Sequence, residues 1–151
     1  MQYDIDYSSY NKLIAAVRSM GANVDKLINT AIRASALRVQ ATARSNAPHR
    51  TGTLQRSIIP EFSNLYGEVK VNEKYGLFIE EGTDPFTIEP RNKKALFWPG
   101  ADHPVKSVRH PGIKAKPFFA PAIKSSQVFI GKQFDKVVET IVNGIAERVK
   151  L

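Results

Sequence analysis

Seven of the nine prolines in this chain fall between residues 85 and 121. Proline has no amide hydrogen to give to a central β-ladder and cannot sit inside a helix, so the stretch is neither a buried sheet nor a helix. A segment of that length without a core of its own is usually functional or ordered by a partner. Whatever core the protein has must come from the flanks. At 151 residues and 42% hydrophobic, the chain is expected to form one domain over 1–151. It divides into a helical part (1–48), strands and loops (49–120) and a C-terminal helix (121–151). There are no cysteines, which excludes a disulfide scaffold, a thiolate zinc site and a cysteine nucleophile. No apolar run approaches about 20 residues, so no membrane span is expected. The N-terminus MQYDIDYSSY does not read as a secretory signal, and synthesis in the cytoplasm is expected.

Residues 9–20 predict a short helix with Leu13, Ile14 and Val17 on one face and Gly21 as its stop. A longer helix is predicted over 23–46. Asn23 is placed to cap it, Val24, Leu27, Ile28, Ala31, Ser35, Val39 and Thr42 follow helical spacing, and Pro48 ends it. Small residues Ala31, Ala34, Ser35 and Ala41 would admit a close backbone, although alanine also simply favours helix. Residues 49–60 read as a turn at Gly52 running into a strand. In 66–72, Val69 and Val71 alternate with Glu68 and Lys70, the pattern of a half-buried strand. The apolar run 75–80 reads as a strand closing at Glu81-Gly82-Thr83. Short strands are expected at 86–90 and 95–98, joined by the polar turn 91–94. From Pro121 to Val149 runs an amphipathic helix with Ile123, Ile130, Phe134, Val137, Val138, Ile141, Val142, Ile145 and Val149 as its stripe. Gly131 and Gly144 are candidate close-packing points within it. The element order implies an α+β fold: N-terminal helices, a small antiparallel β-sheet with long loops, and a long C-terminal helix packed on the sheet.

The net charge is +8, with 22 basic and 14 acidic residues. Residues 1–60 are net +5, 61–100 net −2 and 101–151 net +5. Basic ends can attract nucleic acid, can be solvated helix faces, or can meet the acidic middles of neighbouring copies, an asymmetry suited to head-to-tail rings. Lys26, Arg33, Arg38, Arg44, Arg50 and Arg56 are spread out with no aromatics between them in sequence, unlike a single-strand stacking platform.

No catalytic motif emerges. Asp102, His103 and His110 could in principle share a metal but lack helical i, i+4 spacing, and His49, like them, sits in a turn-like segment. Glu80 and Glu81, read at a strand end, point to opposite faces and make a poor acid/base pair; with Asp84 they suit a solvated turn or a salt bridge to a neighbouring copy. Gly131-Lys132 lacks the first glycine and the Ser/Thr of a phosphate loop. There is neither G-x-S-x-G nor G-x-G-x-x-G.

Three stretches carry unusual backbone demands: Ala47-Pro48-His49-Arg50-Thr51-Gly52-Thr53-Leu54; Tyr75 through Glu80-Glu81-Gly82-Thr83; and His110-Pro111-Gly112-Ile113-Lys114-Ala115-Lys116-Pro117-Phe118-Phe119-Ala120-Pro121-Ala122. In this order they resemble the HK97-type minor tail component family of long-tailed bacteriophages, whose members show A-P-x-x-T-G-x-L, Y-x-x-x-x-E-x-G-T and H-P-G-x-K-x-x-P-F-x-x-P-A. The resemblance spans about residues 10–145. It departs at Ile113, where the family often has Thr, and in the insert from Phe97 to Val108.

The resemblance implies a non-enzymatic virion protein without cofactors or metal. It would act at the neck or in tail completion, in rings that are most often sixfold, around the DNA path and beside stopper or connector, tail terminator and tail tube proteins. Assembly would take place in the host cytoplasm. Pro48, Gly52, Gly82, Pro111 and Gly112 would then be structural turns. Tyr75, Phe97, Trp98, Phe118 and Phe119 would be interface or anchor residues. Arg50, Arg56, Arg91, Lys93, Lys94, Lys114 and Lys116 would face DNA or a partner. The alternatives are a free basic nucleic-acid-binding protein, which rests on charge alone, and a hydrolase with a metal at Asp102, His103 and His110.

Overall fold

The computed structural model describes residues 2–3, 21–48 and 50–149. The helix expected over 9–20, and His49, lie outside them. In chain order the elements are β1 (Gln2–Tyr3), α1 (Ala22–Asn46), α2 (Thr53–Ser57), β2 (Ile58–Ser63), β3 (Tyr66–Val71), α3 (Gly76–Glu81), β4 (Phe86–Ile88), β5 (Val108–His110) and α4 (Phe119–Val149). The fold is α+β, as the element order implied.

α1 starts at Gly21, whose carbonyl accepts the Val24 amide at 3.2 Å. Asn23 therefore lies in the first turn and does not cap. Ala47 turns to extended backbone as the residue before Pro48, which disfavours the helical region for it. α1 is the centre of the protein. One side covers β2 and β3; another lies along α4 in the largest interface of the fold. The core joins Val24, Ile28, Ala31, Ile32, Ala36, Val39 and Ala43 of α1 to Phe118, Phe119, Ala122, Ile130, Phe134 and Val137 at the α4 side, and to Leu54, Ile58, Val69 and Val71 beneath the sheet. Ala36, Ala43 and Ala122 are fully buried and let the two long helices approach. Ala41 is exposed and takes no part. Beyond Ile141, Val142 is 55% exposed, and a side chain at Gly144 would meet nothing among the described residues. Gly144 is thus not a close-packing point among the described residues.

Two serines interrupt the α1–α4 core. Ser35 Oγ and Ser126 Oγ are buried with no hydrogen-bond partner. Replacing such a hydroxyl by a methyl hydrogen removes an unmet polar group and favours helix. Ser35→Ala and Ser126→Ala are each expected to raise the unfolding free energy by roughly 0.5–2 kcal/mol. A thermal melt of either variant at or below wild type would contradict this.

The three-stranded sheet has the order β1-β3-β2, antiparallel throughout. The Asn72 amide donates to Ser57 O, so 57 and 72 form a bonded pair. Bonded pairs recur at alternate positions, which leaves Pro60, opposite Val69, with its nitrogen on the outer edge. The missing donor falls where no ladder needs it, and it blunts that edge against foreign strands. At the β2–β3 turn, Leu65 adopts φ 56°, and its amide donates to Asn29 Oδ1 at 2.8 Å.

Glu68 is buried, not solvated as its alternation suggested, and lies directly across from Glu61. Lys70 Nζ bridges the two at 2.7 and 2.6 Å. Hydrogen bonds to Glu61 and then Glu68 hold the Lys70 ammonium well above its ordinary 10.5. A raised lysine contributes stability that is complete below the free-lysine value and fades as pH climbs above it. Lys70→Gln should therefore lower stability at neutral pH and flatten the alkaline limb of the stability–pH curve in urea titrations between pH 8 and 12.

Candidate interaction site

Two of the three turn-bearing stretches of the sequence converge on the N-terminus of α4. The segment 75–80, whose aromatics and Ile79 suggested a strand, instead enters the short helix α3, Gly76–Glu81, with Tyr75 at its N-cap. Within it Glu80 is buried, 5% exposed. Its Oε2 accepts the amides of Phe118 and Phe119 at 2.7 and 2.9 Å, and its Oε1 that of Ala120 at 2.9 Å. The first turn of any helix leaves amides without partners, and a negative group there also meets the positive end of the helix dipole. Glu80 thus caps α4 across 40 residues of sequence. This overturns its reading as a solvated turn residue or salt-bridge partner. Nearby, the Lys116 amide donates to Ile79 O at 2.7 Å, and Asn46 Nδ2 to Phe118 O at 3.3 Å.

Just beyond Glu80 lies a clasp. The amide of Thr83 donates to Ile113 O at 2.9 Å; that of Ile113 reaches Thr83 O at 3.2 Å and Thr83 Oγ1 at 3.0 Å. Gly82 and Gly112 have φ of 78° and 85°. A Cβ on Gly82 would lie 2.6 Å from Ile113 O, and one on Gly112 would lie 2.2 Å from Thr83 O. Both positions need the left-handed region and the absence of a side chain, so glycine is the residue that fits. His110 supports the return: its Nδ1 accepts the Gly112 amide at 3.1 Å, and its ring stacks on Phe86 at 4.8 Å. Pro111 is exposed between them.

From the clasp extends an arm. β4 pairs with β5, and farther out Leu96 pairs with Val105 through a single bridge. The strands expected at 86–90 and 95–98 do not pair with each other; each finds its partner in 105–110. No side chain from Glu81 to Pro117 is buried. Phe86, Ile88, Phe97, Trp98 and Ile113 are exposed, Phe97 to 67%. Arg91, Lys93 and Lys94 are exposed on the arm, and Lys114 and Lys116 at its base. Asp102 and His103 are exposed toward its far end, and among the described residues no three His, Asp or Glu side chains gather as metal ligands.

The first stretch forms a cleft beside α3. Gly52, at φ 73°, opens not a strand but the short helix α2. Pro48, Arg50, Thr51, Gly52, Thr53, Leu54, Tyr75 and Ile79 enclose a space of about 410 Å³. Arg50 is exposed on its rim. Arg56 turns back to bond Thr51 O and Thr53 Oγ1 at 3.3 and 3.4 Å, so it braces the turn. Arg33 and Arg38, without aromatic neighbours in sequence, lie over the rings of Phe62 and Phe129 at 4.7 and 5.6 Å. Phe118 and Phe119 are 0% and 1% exposed and meet edge to face at 6.3 Å. They are core residues of the protomer, whereas Tyr75, Phe97 and Trp98 are open to solvent.

Among the described residues the site offers surfaces and no group of three His, Asp or Glu side chains placed to hold a metal. No helix among the described residues is long and apolar enough to cross a membrane. No curated protein and no solved structure matches the chain. Residues 11–82 match the family model described as "Bacteriophage HK97-gp10, putative tail-component". The match takes in α1, the cleft turn and Glu80-Glu81-Gly82, and stops short of the arm and α4. Over residues 11–82 the chain is therefore similar to the HK97-gp10-like family of bacteriophage tail components.

Proposed function

We propose that this tail component is a ring-forming neck or tail-completion protein that joins tail to head around the DNA path and performs no catalysis. The observation that carries the reading is the segment 81–117. It is pinned firmly at its base by the clasp and Glu80, yet buries no side chain of its own. A surface of this kind, with aromatic and basic residues exposed on a held scaffold, has the residue types that anchor protein interfaces. The family match over residues 11–82 supports the tail, and the split charge along the chain supports contact between copies. The basic residues of the arm would meet either a neighbouring subunit or DNA phosphates, the latter without reading sequence.

Light scattering at low and high salt, with and without neck and tail proteins, tests this. A closed oligomer, formed alone or with a partner, is the expected result and gives the copy number. A monomer that ignores those proteins yet binds DNA with a steep salt dependence would instead favour a free nucleic-acid-binding protein.

A further inference from the structure

We infer that a hollow between the end of α1 and α2 seats a phosphate group of the DNA backbone, held by Arg44 and Arg56, and that Lys26 and Arg33 extend the contact along α1. The inference rests on the DNA path of the reading above and names the surface that meets it. Residues 26–60 contain six lysines and arginines and no acidic residue. Arg44, Ser45, Gly52, Gln55 and Arg56 line an open hollow of about 360 Å³, ample for a phosphate group and its waters. Its guanidinium groups are held in place by neutral oxygens. Arg44 Nε donates to Ile58 O at 3.1 Å, and Gln55 Nε2 donates to Arg44 O at 2.9 Å. Arg56 is folded over Gly52 by its bonds to Thr51 O and Thr53 Oγ1. Among the described residues the salt bridges are those of Lys70, so neither arginine is neutralised by a carboxylate. A guanidinium carries five N–H groups, and these bonds leave donors and the whole charge of each arginine for an oxyanion. Arg44 is half-buried, so what it binds is less screened by salt than at an open surface.

The row along α1 selects a polyanion over a single carboxylate of a neighbouring copy. Lys26, Arg33 and Arg44 are spaced by about two and about three helical turns, and therefore share one face of α1. That face lies beside β2: Arg33 sits over the Phe62 ring at 4.7 Å, and Arg44 bonds Ile58 O. Glu61 of β2 alternates to the other face of its strand, where Lys70 holds it. From Lys26 to Arg44 the row is about 27 Å long at about 1.5 Å per residue. A lone carboxylate answers one position of such a row. Duplex DNA carries a charge about every 1.7 Å of its axis and answers all of them. Contacts of this kind hold the duplex without reading its sequence.

Fluorescence anisotropy with two labelled duplexes of unrelated sequence, in about 50 to 200 mM salt, tests this. Arg44→Gln/Arg56→Gln should weaken both duplexes alike, by about tenfold or more, and lower the slope of log affinity against log salt by about 2. Lys132→Gln/Lys136→Gln removes the same charge from the exposed side of α4 and should cost less than about threefold. Ser45→Glu sets a carboxylate at the exposed lip of the hollow and removes no brace, so it should reproduce the loss even where the double arginine variant fails to fold. A wild type that binds neither duplex, or equal losses in the two double variants, overturns the site. Inorganic phosphate that raises the melting temperature of a protein with no affinity for DNA makes the ligand free phosphate, and overturns the assignment to DNA. Loss of DNA-free assembly in Arg44→Gln/Arg56→Gln makes the partner a carboxylate on a neighbouring copy, and also overturns it. Light scattering on the same samples keeps the two readings apart. Assembly without DNA affinity overturns the site and leaves the ring reading standing. A wild type that never assembles, alone or with neck proteins, yet shows the arginine-dependent binding overturns the ring and leaves the site.

Discussion

Glu80→Ala is expected to lower the unfolding free energy by about 3–5 kcal/mol, the largest effect of any single polar substitution in this protein. The carboxyl group takes three backbone amides, two of them on the fully buried Phe118 and Phe119. Without it those two donors stay buried with no acceptor, at about 1–3 kcal/mol each, and the favourable charge at the head of α4 is gone. The Ala120 amide is partly exposed and can turn to water. Domains of this kind are stable by only about 5–15 kcal/mol, so the variant should sit near its folding threshold. Glu80→Gln keeps an oxygen for the Phe118 and Phe119 amides but turns an NH2 toward that of Ala120, and should cost about 1–3 kcal/mol. Urea titrations followed by far-ultraviolet circular dichroism measure both. A Glu80→Ala midpoint indistinguishable from wild type would refute the capping role.

The second large effect is local. Gly112→Ala places a Cβ 2.2 Å from Thr83 O at φ 85°, a conformation that costs an ordinary residue about 1–2 kcal/mol before any clash. Because nothing from 81 to 117 is buried, the strain can be relieved by opening the clasp instead of the core. Amide exchange at Thr83 and Ile113 should accelerate by tenfold or more, while global stability falls less than for Glu80→Ala. Gly100→Ala is the contrast: φ there is 93°, but no atom lies within 4 Å of the new Cβ. It should leave the clasp amides protected. Equal exchange in the two variants would mean that the close approach at Gly112 does not hold the arm.

The long helices and β3 were legible because burial imposes a period on them. Ile28, Ala31, Ser35 and Val39 mark α1, Ile130, Phe134 and Val137 mark α4, and Val69 with Val71 marks β3. α3 was not legible. Tyr75, Phe78 and Ile79 favour strands by composition, and six residues are too few for a helical period to show. The strand reading then hid Glu80, since neighbours on a strand point to opposite faces. One signal was available. The residues around the start of α4, Ala115-Lys116-Pro117-Phe118, contain no Ser, Thr, Asp or Asn to cap it. A long helix with no local cap needs one from elsewhere, and an acidic residue in a neighbouring motif was the candidate. The partners of β4 were missed for a different reason. The turn 91–94 looked sufficient for a tight hairpin, but the pairing is set by the clasp below it.

The double anchorage of the arm also decides where a pull would be felt. Tension applied at the tip along the arm runs down both strands in the same sense, so the bonds between β4 and β5 are scarcely stretched. The load arrives instead at Gly82 and at Lys116, where the two strands enter α3 and the approach to α4. There the Ile79–Lys116 bond and the Glu80 carboxyl tie the two paths together. A tug on the outermost aromatic residues is thereby delivered to the head of the longest helix, and the protein would yield by slipping that helix off its carboxyl cap before its arm unzipped.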